Sequence, residues 1–265
     1  YPMAAMMQGS APYIADHAGK VAVFHIPGQH IEDPTTSYSL LQDVALCWLL
    51  GMKIVITLSG RCDDTDKMCN FRSVEEEMGY LRTELERKLN RCLGSHARTR
   101  ACSGNGECSI DPLDGNVVSG NSFGIARRHS PDSYSGQATE IHHDNLNRIL
   151  ARNDVVLLSN IMLSGSGEHW VQVDGRQLAA KVAASLQASK VIFISRTASI
   201  LQIDGQHIQD LPLSMAKSIL DTTDEQDSEL YQHLRRSLWA LPHGVHHAHI
   251  VNPTDGACLE ELFTA

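Results

Sequence analysis

Three short runs, "KIVITL" (53–58), "DVVLLSNIML" (154–163) and "KVIFIS" (190–195), are apolar without alternation. A strand with one wet face alternates polar and apolar residues, whereas a strand covered on both faces reads as a continuous apolar stretch. Three such runs constrain the chain strongly, because buried strands require helices on both sides. "KVAVFHI" (20–26), "GNVVSGN" (115–121) and "GVHHAHIV" (244–251) read as further strands.

Between the strands lie segments with helical spacing. "PTTSYSLLQDVALCWLLGM" has Thr35 or Thr36 as the expected N-cap and Gly51 as its stop. "SVEEEMGYLRTELERKLNRCL" (73–93), "TEIHHDNLNRILAR", "RQLAAKVAASLQAS", "PLSMAKSILDT" and "SELYQHLRRSLWAL" also read as helices. The segment 94–115 reads as a loose surface excursion. Strand–helix–strand units closed by right-handed crossovers predict an α/β fold: a three-layer αβα sandwich with a mostly parallel central sheet. No linker or repeat divides residues 1–265, so one domain is expected.

The formal net charge of −9 argues against nucleic acid or an anionic membrane as partner. The longest apolar stretch is broken by Asp43, Gly51 and Lys53, too early to span a bilayer. Seven cysteines, an odd number without metal-binding spacing, fit reduced thiols in a reducing compartment. No metal site is expected. The histidines His243, His246, His247 and His249 lie along a strand, which spreads them. Asp63, Asp64 and Asp66 read as an acidic loop, and Arg127 and Arg128 as a solvated turn. The chain begins at Tyr1 and is read as a fragment or processed product.

In such sheets ligands gather at the carboxyl ends of strands. The turns there are Pro27–His30, Ser59–Asp64, Ser119–Phe123 and Asn160–Gly167. "VFHIPGQH" (23–30) stands where a phosphate-binding turn would be, yet it lacks a lysine and a second glycine.

The motifs "APYIADHAGKVAVF", "LLGMKIVITLSGR", "NVVSGNSFGIAR" and "GVHHAHIVNPTDGACLEELFTA", in this order and over almost the whole chain, resemble the amino acid kinase fold. More narrowly, they resemble the amino-acid-kinase-type domain of N-acetylglutamate synthases, whose near relatives are N-acetylglutamate kinases. The resemblance implies that the kinases' phosphate-binding lysine and glycines fall on His25, Pro27 and Gly28, and their second lysine on His233. Their paired glycines fall on Ser228 and Glu229, their lysine-orienting aspartate on Arg176, and a substrate asparagine on Gln172. Phosphoryl transfer is charge stabilisation and positioning. With these groups replaced, the expectation is that the site holds too little positive charge for a triphosphate and has no catalytic residue.

The resemblance further implies L-arginine as effector, held by His249 and Glu261, since a carboxylate can take a guanidinium with two parallel hydrogen bonds. A substrate-like pocket falls on Gly28, Arg61, Arg72, Gly120 and Asn121. It implies a homo-oligomer, no cofactor in this chain, and acetyl-CoA used in an acetyltransferase domain absent from it. The expected compartment is the cytoplasm, with an organellar matrix or plastid left open. The alternatives are an active N-acetylglutamate kinase with displaced lysines and a non-catalytic oligomerisation module.

Overall fold

The structure, a computed structural model, describes residues 11–12, 15–60, 71–101, 117–120, 123–130, 133–196, 202–203, 206–207, 210–222, 228–253 and 256–264. For some of these, Arg72 and Glu261 among them, only the backbone is described.

The buried runs form one six-stranded parallel sheet. Its strands are β1 (Val21–Pro27), β2 (Lys53–Ser59), β3 (Val117–Gly120), β6 (Val155–Ser159), β9 (Lys190–Ile194) and β12 (His247–Val251), in the spatial order β12-β9-β1-β2-β6-β3. Each strand read from the sequence contributes to this sheet, the run 154–163 through its first half only. Alternate side chains feed two cores. Ala22, Phe24 and Ile26 of β1 enter one, and Val23 enters the other.

The first core is covered by α2 (Pro34–Leu49), α3 (Phe71–Ala101) and α8 (Ala257–Thr264), through Leu41, Leu85 and Cys258. The second is covered by α4 (His143–Leu150), α5 (Gly175–Ser185) and α7 (Glu229–Ala240), through Leu146, Ala179 and Ala240. These are the expected three layers. The small side chains of α5 are fully buried at Ala179, Ala180 and Ala183, which lets the helix lie close on the sheet. A short α1 (Gly28–Glu32) follows β1 directly, and α6 (Leu213–Thr222) lies against α7.

Several boundaries differ from the expectation. The N-cap of α2 is Asp33 rather than Thr35 or Thr36. Its carboxylate accepts from the Thr35 and Thr36 amides at 3.3 and 3.2 Å, with Pro34 as first helical residue. Helix α3 runs on through Gly94 to Ala101, where a loop was expected; one glycine inside a helix costs only about 1 kcal/mol. Thr139–Ile141, read as helix, closes β5 (Ser135–Ile141).

Strand β5 belongs to a closed four-stranded barrel with β4 (Gly124–Arg128), β7 (Ile161–Ser164) and β8 (Trp170–Val173). The apolar run 154–163 is therefore two strands, β6 and β7, bent at Asn160. That residue is buried and ties the barrel to the sheet: its amide donates to the Leu58 carbonyl at 3.0 Å and its side chain to the Val173 carbonyl at 3.1 Å. A two-stranded antiparallel ribbon, β10 (Gln202–Ile203) and β11 (Gln206–His207), completes the described strands.

Cys47, Cys92 and Cys258 are buried thiols. Burial, and then the nearby Asp43 carboxylate, push the Cys47 thiol up to about 12, so it stays protonated and unreactive. Among the described residues no helix is long and apolar enough to cross a membrane.

Candidate functional site at the carboxyl end of the sheet

Strand β1 delivers His25 to the face covered by α5 and α7. The imidazole is fully buried, and its Nε2 lies 3.3 Å from Ser59 Oγ at the end of β2. Its Nδ1 has no hydrogen-bond partner. Phe193 of β9 stands between His25 and His233 of α7, with ring centroids 6.2 and 5.5 Å away respectively. His233 is also buried, and its Nδ1 likewise lacks a partner. Burial, and then the charge of Arg176, push the His25 imidazole down to about 3. Burial, and then His25, push His233 well below the ordinary histidine range. Both rings are neutral at physiological pH.

Helix α5 starts directly over His25. A Cβ on Gly175 would lie 2.7 Å from Ser59 Cβ and 2.8 Å from His25 Nε2, so only glycine lets the helix come this close. The preceding residue, Asp174, caps α5. Its Oδ1 accepts from the Arg176 amide at 2.9 Å and from Arg176 Nε at 3.2 Å. Its Oδ2 accepts from Arg236 Nε and Nη2 at 3.2 and 2.9 Å. Burial alone would raise the Asp174 carboxyl; Arg176 and then Arg236 outweigh it and hold the group down at about 2.

The turn "IPGQH" is folded into α1 rather than left open. His30 Nε2 donates to the Ser195 carbonyl at 2.8 Å, and Gln29 donates to the Arg196 carbonyl at 3.3 Å. Pro27 ends β1 and brings no amide hydrogen. Gly28 is buried there, and a Cβ on it would lie 2.5 Å from Leu81 Cδ1 and 2.9 Å from the Ser59 carbonyl. The Arg196 amide donates to Glu229 Oε1 at 2.6 Å, and its Nη2 to the Gly60 carbonyl at 3.4 Å. Ser228 caps α7, its Oγ accepting from the Tyr231 amide at 3.2 Å.

Three guanidinium groups, those of Arg176, Arg196 and Arg236, lie at this end of the sheet. They are engaged with Asp174 and Gly60, where a kinase needs ammonium groups facing a ligand. Lys20, Lys53 and Lys190 lie at the starts of β1, β2 and β9, the opposite end. Asp174 and Arg236 were not singled out from sequence. The residue before "GRQLAA" could have been recognised as an N-cap aspartate; Arg236 carries no local signal.

Of the residues expected in a substrate-like pocket, Gly28 and Gly120 are described, at the carboxyl ends of β1 and β3 with β2 and β6 between them. Gly120 ends β3, and a Cβ there would lie 2.6 Å from the Phe123 ring. Beside it is a cavity of ≈ 10 Å³ lined chiefly by Phe123, Ile141, Leu158, Met162 and Leu178, apolar and no larger than a water. Arg61 and Asn121 lie outside the described residues, as do the acidic positions 63, 64 and 66; Arg72 is placed in α3 by its backbone alone. Gln172 pairs in β8, its amide donating to the Tyr134 carbonyl at 2.7 Å. Arg128 lies over the Tyr134 ring, 5.4 Å from its centroid.

The second candidate region is the edge strand β12. His249 is buried and its ring stacks on His247 at 6.1 Å, so the two share a face. His249 pairs in register with Ile192, which faces the core covered by α2 and α8. Glu261 lies on α8, the helix that follows the strand. Among the described residues no three His, Cys, Asp or Glu side chains are placed to hold a metal ion.

Residues 20–252 match the sequence model of the amino acid kinase family. The chain belongs to the amino acid kinase family. Within it, the chain is similar to an amino-acid acetyltransferase of Shigella flexneri, 27% identical over 96% of this chain and 60% of the relative. An amino-acid acetyltransferase of Escherichia coli K12 is 26% identical over the same shares. This family member therefore spans about 60% of the length of the curated relatives it matches. Among solved structures, it is similar to N-acetylglutamate synthase from Neisseria gonorrhoeae complexed with coenzyme A and L-arginine. That match has a TM-score of 0.76 and 25% identity, and covers 98% of this chain and 62% of the other. A carbamate kinase from Giardia lamblia bound to AMP-PNP shares the fold, with a TM-score of 0.65 and 9% identity over 91% of this chain and 94% of the other.

Proposed function

We propose that this chain is the regulatory amino acid kinase-like domain of an N-acetylglutamate synthase, the acetyl-CoA:L-glutamate N-acetyltransferase that opens arginine biosynthesis. It binds L-arginine, assembles with copies of itself, and does not transfer phosphoryl groups. In this reading acetyl-CoA is used by the synthase's acetyltransferase domain, not by this sheet.

One observation carries the reading: the end of β1 is filled by the protein's own groups. A neutral His25 lies under Gly175 where an ammonium would be needed, and Asp174 occupies the guanidinium groups of Arg176 and Arg236. Neutral imidazole cannot offset the charge that develops on a transferring phosphoryl group. The similarity to a synthase complexed with coenzyme A and L-arginine supports arginine as the ligand. His249, on the strand face that α8 covers, and Glu261 on α8 are the residues assigned to it.

Calorimetric titration of the purified chain with L-arginine tests the reading. Saturable binding is expected, weakened at least about tenfold, or 1.4 kcal/mol, by His249→Ala and unchanged by Arg127→Ala. No saturable heat at millimolar arginine from a folded sample would overturn it.

A further inference from the structure

Asp174 is bound as a foreign carboxylate would be bound. Each of its oxygens accepts twice, which is the full capacity of the group. The donors are two guanidinium groups from different helices and the Arg176 amide in the first turn of α5. The Asp174, Arg176 and Arg236 side chains are 17, 12 and 17% exposed, so water screens the cluster weakly. It stands at the carboxyl end of a parallel sheet, where this kind of fold takes its ligands. An N-cap needs only one accepting oxygen, and serine or threonine supplies that as well. The second oxygen of Asp174 has another use: it reaches across to α7 and holds Arg236.

We propose that Asp174 is a tethered ligand, its carboxylate filling an anion site built from Arg176, Arg236 and the start of α5, and so closing that site to free anions. The contact is autoinhibitory. The chemical class the site takes is a small carboxylate, one oxygen held by the Arg236 guanidinium and the other by Arg176, as the two oxygens of Asp174 are. This rests on the reading that this end of the sheet does not handle a nucleotide, and it extends that reading by naming what keeps the site closed. No covalent step is involved.

The test empties the site without removing the cap. Asp174→Ser keeps an accepting oxygen for α5 and leaves a carboxylate-sized gap between the guanidinium groups. Thermal unfolding is followed against sodium formate, with sodium chloride at equal ionic strength as reference. Formate is expected to raise the melting temperature of Asp174→Ser saturably, by several degrees beyond the chloride response. The wild type, and Asp174→Ser combined with Arg236→Met, are expected to respond to formate and chloride alike. If Asp174→Ser is unfolded without added anion, the same titration is read by circular dichroism, and formate but not chloride restores the helical signal. Equal responses to formate and chloride in Asp174→Ser, a wild type that saturates with formate, or a double variant that behaves as the single one would each overturn the proposal. Arginine binding is not read here, so the arginine assignment and the tethered carboxylate fail separately.

Discussion

Acidification from pH 7 to pH 5 is expected to remove about 2 kcal/mol of folding stability through His25, with His233 adding in the same direction. Both imidazoles are buried and neutral, with their folded values depressed, His25 to about 3. In the unfolded chain each titrates near ~6.5. Below that pH the unfolded state takes up protons that the native state refuses. The stability is therefore complete above pH ~6.5 and is lost as pH falls toward about 3, where native His25 itself protonates. The groups facing the pair are Arg176, Arg196 and Asp174, and the two guanidinium charges oppose a further positive charge more than the single carboxylate favours it. His30, held on the Ser195 carbonyl, is lowered by burial and adds in the same direction. Urea unfolding at pH 7 and pH 5 measures the effect, and His25→Leu should reduce the slope by about one proton. Stability unchanged between these pH values, or a slope that the leucine variant leaves undiminished, would contradict the assignment of buried neutral rings.

Truncating Arg236 to alanine is expected to cost about 3 kcal/mol or more, because Asp174 is then left buried with one of its two cations. The loss should be strongly non-additive. With Asp174 already neutralised as Asn, the same truncation removes much less, and the double-mutant cycle should return a coupling of about 1–3 kcal/mol. The exposed pair Arg87–Glu84, 2.6 Å apart, serves as contrast: breaking it should leave the urea midpoint unchanged, since solvent screens it. Additive effects at Asp174 and Arg236 would show that the contact seen between α5 and α7 carries no stability.

The inner strands β1, β2, β6 and β9 were legible because burial on both faces leaves a largely apolar run, and each run is short enough to be a strand. The small barrel was not. Its strands are short, β4 carries Arg127 and Arg128, and β5 pairs in part with the distant β8, from Ser135 to Gln172. "TEIHHDNLNRIL" has helical spacing throughout, and only strand pairing to β4 draws its first three residues into β5. Helix α1 was missed because Pro-Gly reads as a turn; its side-chain ties to residues 195 and 196 are set by tertiary contact.

At the site, the resemblance located His25, Pro27 and His233 as replacements for charged or permissive positions, and the structure shows what surrounds them. The Asp174–Arg236 contact joins residues 62 apart in sequence, and nothing local to either residue announces it. Gly175 illustrates the same limit. Sequence shows a glycine at a helix start, and only the coordinates show the imidazole 2.8 Å from its absent Cβ.

The most direct test of the account is a coupled assay of ATP consumption by the purified chain with magnesium and N-acetyl-L-glutamate, paired with calorimetry of ATP binding. The account predicts no ATP consumption above the buffer rate and no saturable ATP heat, from protein that still unfolds cooperatively. ATP turnover that depends on N-acetyl-L-glutamate and is lost in His25→Leu would contradict it.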